Sequence, residues 1–330
     1  MTRHFNYRLA DWCFRTEQFR TAHLSQLCKN TKCNMDMVGS HGIRQLLNGT
    51  GITVGSLVPG MGATEGIWKA PFFPGMAKPS EKAEVQGVIA AAVLAASQDS
   101  VGNVVVFTGK NTKTAPRADQ FAAIRKGFTD PCEALGGQMS LVDHAEATGV
   151  TMLLEPLNIK GEGPMRGHRD YLGWNPVELV EKVVKPIGSP RFKLVLDVYH
   201  TAMQSLNPAD VISKIHDHIA YVHVAGLMGT PTGNHPQNRG ELTLDGQVID
   251  YPAVMEELAK HFSPGTMDVL FEYIPTFERC KSPDGAAAEV DRLTTDIDAA
   301  IELCESQTPK PAAASSQFGP VSACAGGSGG

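Results

Sequence analysis

The sequence lacks the features of membrane and secreted proteins. No stretch of its 330 residues reaches the roughly 20 uninterrupted apolar residues of a membrane span. The start, MTRHFNYRLADWC, is too polar for the apolar centre of a secretory signal. We therefore expect a cytoplasmic protein that does not associate with membranes.

Basic residues are also fewer than acidic ones. The chain carries 29 Lys and Arg against 35 Asp and Glu, which gives a formal net charge of −6. Sequence-independent affinity for nucleic acids comes from Lys and Arg that neutralise phosphates. The charge balance therefore predicts no nucleic-acid partner.

Two motifs that would indicate other cofactor sites are incomplete. Cys28 and Cys33 in CKNTKC have no second cysteine pair, which a structural zinc site needs, so we interpret these residues as reduced thiols. Gly60, Gly62 and Gly66 do not have the spacing of a dinucleotide-binding fingerprint. The sequence thus gives no support for structural zinc, nicotinamide or flavin.

Short apolar segments alternate with longer amphipathic ones along the whole chain, the pattern of repeated β–α units around a parallel sheet. Between the predicted strands we expect helices at 81–97, 138–147, 176–184, 208–216, 252–261 and 286–304. Eight segments are predicted to be strands: 7–12, 34–38, 52–57, 103–107, 151–155, 193–197, 221–225 and 268–272.

Eight such units favour a closed (β/α)₈ TIM barrel, an α/β fold, over an open doubly wound sheet. We predict one catalytic barrel domain over residues 1–305 and a disordered tail over 306–330, where large apolar residues are few. Long insertions at 59–78 and 160–174 follow predicted strands and suggest lids over an active site.

Four consecutive predicted strands end in or carry a side chain that can bind a metal. They are Glu155 in TMLLEP, Asp197 in KLVLDV, His223 in YVHVAG and Glu272 in DVLFEY. The carboxyl ends of barrel strands converge on one side of the fold, so these groups should meet there. Three carboxylates and one imidazole suit Mn²⁺ or Mg²⁺, while Co²⁺, Ni²⁺ and Zn²⁺ stay open.

Two further polar residues lie close to this group along the chain. His200, in DVYHTAMQ, is near enough to Asp197 to hydrogen-bond a substrate hydroxyl; a purely structural histidine is the alternative. Arg239 follows the seventh strand, where a guanidinium can bind a carboxylate or polarise an oxygen; a surface arginine is the alternative. The ends of strands three and four carry no His, Asp or Glu, which argues against a larger metal cluster.

Up to about Glu278 the chain resembles the hydroxypyruvate isomerase-like group of the xylose isomerase-like TIM-barrel superfamily, which also contains the ketose 3-epimerases. The resemblance rests on five motifs taken together. They are DWCF at 11–14, LLEPLN at 153–158, SPRFKLVLDVYHTAMQ at 189–204, HVAG at 223–226 and FEYIP at 271–275.

The resemblance implies an intramolecular oxidoreductase of the aldose–ketose isomerase type that converts hydroxypyruvate to tartronate semialdehyde by proton transfer through a metal-bound enediolate. One divalent metal would be held by Glu155, Asp197, His223 and Glu272. Glu155 and Glu272 would also act as acid and base, and His200 and Arg239 would bind the substrate.

Several alternatives stay open on the sequence. Ketose 3-epimerisation and metal-dependent carbon-glycoside cleavage also begin with deprotonation beside a carbonyl. A two-metal hydride-shift isomerase would need further carboxylates and a lysine at the site. A non-catalytic binding barrel is the remaining alternative. The apolar segment PFFP at 71–74 is compatible with a homo-oligomer or with a cover over the chain's own site.

Overall fold

Eight parallel strands form a closed barrel in the computed structural model, in the order β1-β10-β7-β6-β5-β4-β3-β2. The predicted (β/α)₈ barrel is therefore confirmed. The strands are β1 Asn6–Ala10, β2 Asn34–Val38, β3 Val54–Val58, β4 Asn103–Val106, β5 Thr151–Leu154, β6 Phe192–Asp197, β7 Ile219–Val224 and β10 Asp268–Phe271. The structure describes residues 3–14, 21–38, 47, 49–59, 76–77, 80–160, 170–228, 239–240, 242, 246–272, 283–306 and 308.

Each of the eight predicted strands is present, and most differ from the prediction by one or two residues at an end. Two very short strands, β8 Gly226–Leu227 and β9 Arg239–Gly240, were not predicted. They pair antiparallel with each other just beyond β7. This small ladder holds Arg239 beside the carboxyl end of the barrel.

Helices cover the outside of the barrel, and all six predicted helical segments contain one. Four further helices were not predicted; they begin at Asp11, Thr21, Arg117 and Val198. The helices are α1 Asp11–Phe14, α2 Thr21–Thr31, α3 Lys82–Gln98, α4 Arg117–Thr129, α5 Leu141–Thr148, α6 Pro176–Leu179, α7 Lys185–Ile187, α8 Val198–Met203, α9 Pro208–Ile215, α10 Tyr251–His261 and α11 Pro283–Ser306.

Side-chain caps fix where several of these helices begin. Asn175 and Asn207 cap α6 and α9 with a proline directly after them. Ser140 and Asp143 form a reciprocal capping box at the start of α5. Asp250 caps α10 by accepting a hydrogen bond from Ala253 N.

The predicted helix 176–184 continues to Ile187 through a π-helical turn at Val180–Val184. Pro186 lies just after this turn and has no backbone N–H to donate to the preceding turn. A local widening of the helix accommodates the proline without ending the helix.

The last helix and the first strand are joined at the amino-terminal side of the barrel. Glu305 accepts hydrogen bonds from His4 N at 2.8 Å and from Tyr7 Oη at 2.9 Å.

α11 ends at Ser306, where the predicted tail begins, and almost all of that tail lies outside the described residues. Among the described helices, none is both long and apolar enough to cross a membrane.

The inside of the barrel contains a polar layer that the sequence analysis did not predict. Asp36 on β2 is fully buried and accepts hydrogen bonds from Tyr221 Oη at 2.6 Å and Ser56 Oγ at 2.7 Å. Arg8 on β1 pairs with Asp268 at 3.0 Å. Because Tyr221 precedes His223 by two residues on β7, this layer lies one step nearer the amino-terminal end of the barrel. Cys28 and Cys33 are buried, free thiols.

Candidate active site

Glu155, Asp197, His223 and Glu272 come together at the carboxyl-terminal end of the barrel. Asp197, the last residue of β6, lies opposite His223 in the β6–β7 register. Glu155 and Glu272 each follow their strand by one residue, and their backbone N–H groups still donate to the neighbouring strands, to Val106 O and Val224 O, both at 2.9 Å. Strand pairing therefore determines the positions of all four side chains.

Two overlapping groups of side chains have the spacing of metal ligands. One comprises Asp197, His223 and Glu272, and the other Glu155, Asp197 and His200; within each group the ligand atoms lie within 4.8 Å of one another. Asp197 is common to both. The structure thus brings together the four predicted ligands, and it adds His200 as a second candidate imidazole.

Two buried polar atoms in this cluster, Asp197 Oδ2 and His223 Nε2, have no hydrogen-bond partner among the described residues. Glu272 Oε2 belongs to the same cluster and forms an ion pair with Arg239. A buried polar atom without a hydrogen bond carries a substantial free-energy cost, which a bound cation would remove at Asp197 and His223. Two carboxylate oxygens and an imidazole nitrogen suit a divalent ion. The residues present therefore fit the predicted metal, and their role as its ligands stays a prediction.

The positive charge of Arg239 offsets the negative charges of Glu272 and Asp197. Its Nη1 lies 2.9 Å from Glu272 Oε2 and its Nη2 lies 3.6 Å from Asp197 Oδ2. The guanidinium also lies over the ring of Tyr199, 4.3 Å from the centroid. Arg239 is thus a buried residue of the site, and the surface-arginine alternative is wrong.

Burial and the Arg239 charge act in opposite directions on the two carboxylates. Burial raises the pKa of Asp197 well above its usual value, although Arg239 opposes this shift. Burial also disfavours ionised Glu272, but Arg239 and His223 outweigh it and hold the Glu272 pKa below its usual value. The carboxylate nearer the guanidinium is therefore the more readily ionised of the two.

His223 is a buried imidazole beside a carboxylate. Its Nδ1 lies 3.1 Å from Glu155 Oε1. Burial disfavours the charged imidazole, but Glu155 outweighs burial and raises the pKa of His223 to about 9. Binding of a metal at this histidine would therefore have to displace a proton near neutral pH.

Besides facing the site, Asp197 caps the helix that follows it. Its Oδ1 accepts a hydrogen bond from His200 N at 2.7 Å and caps α8, while Oδ2 points to the other polar groups. The cap places His200 in the first turn of α8. The His200 ring reaches Asn158 with Nδ1 at 2.6 Å and Arg239 with Nε2 at 3.1 Å.

The sequence analysis missed Trp12 and Asn158 as residues of this site. The indole N–H of Trp12 donates to Glu272 Oε1 at 3.0 Å, and the ring centroid lies 6.4 Å from that of His223. Both residues belong to motifs of the resemblance, DWCF and LLEPLN, so the available signal was their place directly after strands β1 and β5. Most of the two insertions and of the loop after β8 lies outside the described residues.

A family model described as "Xylose isomerase-like TIM barrel" matches residues 34–295 of the chain. The chain belongs to this family. The match spans β2 to β10 and includes all the clustered site residues except Trp12. No curated protein sequence shows significant similarity to the chain.

Solved structures of other members of the xylose isomerase-like fold superpose on nearly the whole chain. An L-ribulose 3-epimerase has a TM-score of 0.62 at 14% identity and covers 92% of this chain and 96% of its own. A 3-keto-D-glucoside 4-epimerase from E. coli has a TM-score of 0.58 at 15% identity, with coverages of 88% and 99%. The IOLI protein, described with a bound zinc atom, has a TM-score of 0.60 at 14% identity, with coverages of 89% and 98%. At such identities the likeness establishes the fold alone.

Proposed function

We propose that the protein is a divalent-metal-dependent isomerase of a small hydroxy-carbonyl compound or sugar, with conversion of hydroxypyruvate to tartronate semialdehyde as the preferred reaction. The observation that carries the proposal is the placement of two carboxylates, Glu155 and Glu272, on either side of the buried Asp197–His223 pair. The epimerases among the similar structures and the zinc atom of the IOLI protein support the same reaction class.

The reaction requires removal of a proton from a carbon beside a carbonyl and its return to the neighbouring carbon. Glu155 and Glu272 lie on different strands around one buried site, so one can remove the proton and the other can return one. Glu155, Asp197, His223 and Glu272 would hold the divalent ion, which would supply Lewis-acid polarisation of the carbonyl.

Other residues of the chain support these two carboxylates. Trp12 donates to Glu272 Oε1 and so limits the directions in which that carboxylate can turn. Arg239 places a positive charge where a substrate oxygen gains negative charge during the reaction.

Replacing either carboxylate by its amide tests the assignment. We expect Glu155→Gln and Glu272→Gln each to lower kcat by about 10²-fold or more, since each removes a proton-transfer group. The assay measures turnover of hydroxypyruvate and of a panel of ketoses by protein whose metal content has been determined. Glu302→Gln, on the exposed face of α11, is the matched control and should keep full activity. Near-full turnover of both site variants with metal bound would refute the proposal.

Ketose 3-epimerisation is the second candidate, favoured by the L-ribulose 3-epimerase and D-allulose 3-epimerase among the similar structures. The two reactions differ in the carbon that exchanges hydrogen with solvent. Turnover in heavy water labels carbon 3 of a ketose in epimerisation, whereas aldose–ketose isomerisation labels carbon 1 of the ketose and carbon 2 of the aldose. Carbon-glycoside cleavage would release an aglycone, and a binding barrel would turn over none of these compounds.

A further inference from the structure

The hydrogen-bond ladder between the parallel strands β4 and β5 stops at the candidate site. Thr151 N donates to Gly102 O at 2.8 Å where the ladder begins, and Glu155 N donates to Val106 O at 2.9 Å near its end. In a parallel ladder, the residue two positions after each acceptor donates back to the neighbouring strand. The next hydrogen bond of the ladder would therefore run from Thr108 N to Glu155 O.

The hydroxyl group of Tyr171 lies where that hydrogen bond would form. Thr108 N donates to Tyr171 Oη at 2.9 Å, and Tyr171 Oη donates to Glu155 O at 2.8 Å. A tyrosine hydroxyl can accept one hydrogen bond and donate another at the same time. Burial raises the pKa of Tyr171, so the hydroxyl keeps the proton that it donates. Both backbone groups have a partner, and one oxygen atom separates the two strands.

The tyrosine belongs to a segment, residues 170–173, that forms part of the described end of the second insertion. This segment pairs with the chain that follows β4. Asn111 N donates to Asp170 O at 2.6 Å. Leu172 N donates to Gly109 O at 3.1 Å. The tyrosine between these two hydrogen bonds is thus held by backbone pairing on both sides.

Two further contacts hold the 170–173 segment against the barrel. Arg117 Nη2 donates to Leu172 O at 2.9 Å, and Gly173 N donates to Thr108 Oγ1 at 3.0 Å. A Cβ at Gly173 would lie 2.6 Å from Thr108 Cγ2, so a larger residue would push the segment away from the end of β4. Close packing therefore also fixes the position of the tyrosine hydroxyl.

The contact with Tyr171 fixes the backbone of Glu155. The N–H group of Glu155 is bound to β4 and its C=O group to Tyr171, while its carboxylate Oε1 lies 3.1 Å from His223 Nδ1. If the hydroxyl were removed, Thr108 N and Glu155 O could approach each other and complete the ladder. A shift of about 1 Å in a group that reacts with substrate can lower the rate by about 10²-fold.

We propose that Tyr171 is a positioning residue whose hydroxyl group holds the carboxyl ends of β4 and β5 apart and thereby sets the position of Glu155. The end of the second insertion thus controls the geometry of a carboxylate to which we assign proton transfer. The effect on turnover rests on the proposed function, and the separation of the strands does not.

Crystal structures of the original protein and of Tyr171→Phe test the separation of the strands. We expect the hydroxyl between Thr108 N and Glu155 O in the original protein. In Tyr171→Phe these two atoms should approach to about 2.9 Å, the usual length of a backbone hydrogen bond. A direct Thr108–Glu155 hydrogen bond in the original protein would overturn the inference. A water molecule in place of the hydroxyl, with Glu155 unmoved, would also overturn it.

The kinetic consequence is measured on protein of determined metal content. We expect Tyr171→Phe to lower kcat by about 10-fold, because Glu155 is displaced. Tyr7→Phe is the matched control, since it removes the hydroxyl of another buried tyrosine, whose Oη donates to Glu305 at the amino-terminal side of the barrel. The control should keep full kcat. Full kcat in Tyr171→Phe as well would contradict the role of Tyr171.

A double-variant cycle distinguishes positioning of Glu155 from a general structural role. If Tyr171 acts through Glu155, adding Tyr171→Phe to Glu155→Gln should lower kcat no further, because the group that it positions is already absent. A general structural role would lower kcat by the same factor in both backgrounds. That additive result would overturn the inference. If Tyr171→Phe does not fold, Gly173→Ala displaces the same segment and takes its place in the cycle.

The outcomes separate this inference from the proposed function. Closure of the ladder in Tyr171→Phe, in a protein that turns over no hydroxy-carbonyl compound, supports the separation of the strands by Tyr171 and contradicts the proposed function. Loss of turnover in Glu155→Gln and Glu272→Gln, with full kcat and an unmoved Glu155 in Tyr171→Phe, supports the proposed function and contradicts the inference.

Discussion

Trp12 contacts Glu272, one of the two carboxylates to which we assign proton transfer. Its indole N–H is a directional donor to Glu272 Oε1 at 3.0 Å. We expect Trp12→Phe to lower turnover by about 10-fold, because a hydrogen bond to a charged group contributes about 1.5–3 kcal/mol. The melting temperature should change little, since Phe retains most of the apolar contact. Unchanged kcat in Trp12→Phe would show that Glu272 does not need this donor.

Single residues also show how far the sequence determines the site. Glu155, Asp197, His223 and Glu272 could be predicted to meet because parallel strands end at the same side of a barrel. The amide of Asn158 and the indole of Trp12 reach the site from the segments after β5 and β1. Their contacts depend on backbone turns that have no periodic sequence pattern, so these two residues could not be predicted to reach the site.

At the scale of the strands, the side chain of Arg8 packs against Gly55. A Cβ at Gly55 on β3 would clash with Arg8 Nε, which shows that the Arg8 side chain on β1 passes directly over the glycine. We expect Gly55→Ala to destabilise the protein by about 1–3 kcal/mol, because Arg8 would have to leave its place beside Asp268. Urea unfolding measures the change.

The control for this prediction is Gly102→Ala, since a Cβ at Gly102 meets no atom within 4 Å. The free energy of unfolding of Gly102→Ala should stay within about 1 kcal/mol of that of the original protein. Combining Gly55→Ala with Arg8→Ala should cost less than the sum of the two single changes, because the clash is then absent. Strictly additive effects would contradict the proposed overlap.

The elements themselves were more predictable than their boundaries. Strand segments were recognisable as short apolar runs because both faces of a barrel strand are buried. The helix at Thr21–Thr31 was not predicted because its sequence, TAHLSQLCKNT, contains few apolar residues. Asp36 was not predicted inside the barrel, since a buried carboxylate depends on Tyr221 and Ser56, which are distant in the sequence.

For the whole molecule, the candidate metal site predicts a link between metal binding and stability. A ligand at 100 times its Kd stabilises a folded protein by about 2.7 kcal/mol. We expect Mn²⁺ to raise the melting temperature of the protein and to leave that of Asp197→Asn unchanged. Asn preserves the cap on α8 and removes the charge, so the variant changes the site without removing the cap.

Elemental analysis of the same samples should find about one ion per chain in the original protein and none in Asp197→Asn. Glu302→Gln should behave as the original protein does, because its side chain is exposed on α11. An equal thermal shift in Asp197→Asn would place the stabilising ion somewhere else in the molecule.

Closure of the barrel has a consequence for synthesis on the ribosome. β1 pairs with β10, Asn6 lying opposite Asp268, so β1 acquires its second neighbour only after the residues between them have been translated. At about 5–20 residues per second, that edge stays open for roughly 10–50 seconds. Throughout this interval the nascent chain presents an unpaired strand and apolar surface to other chains.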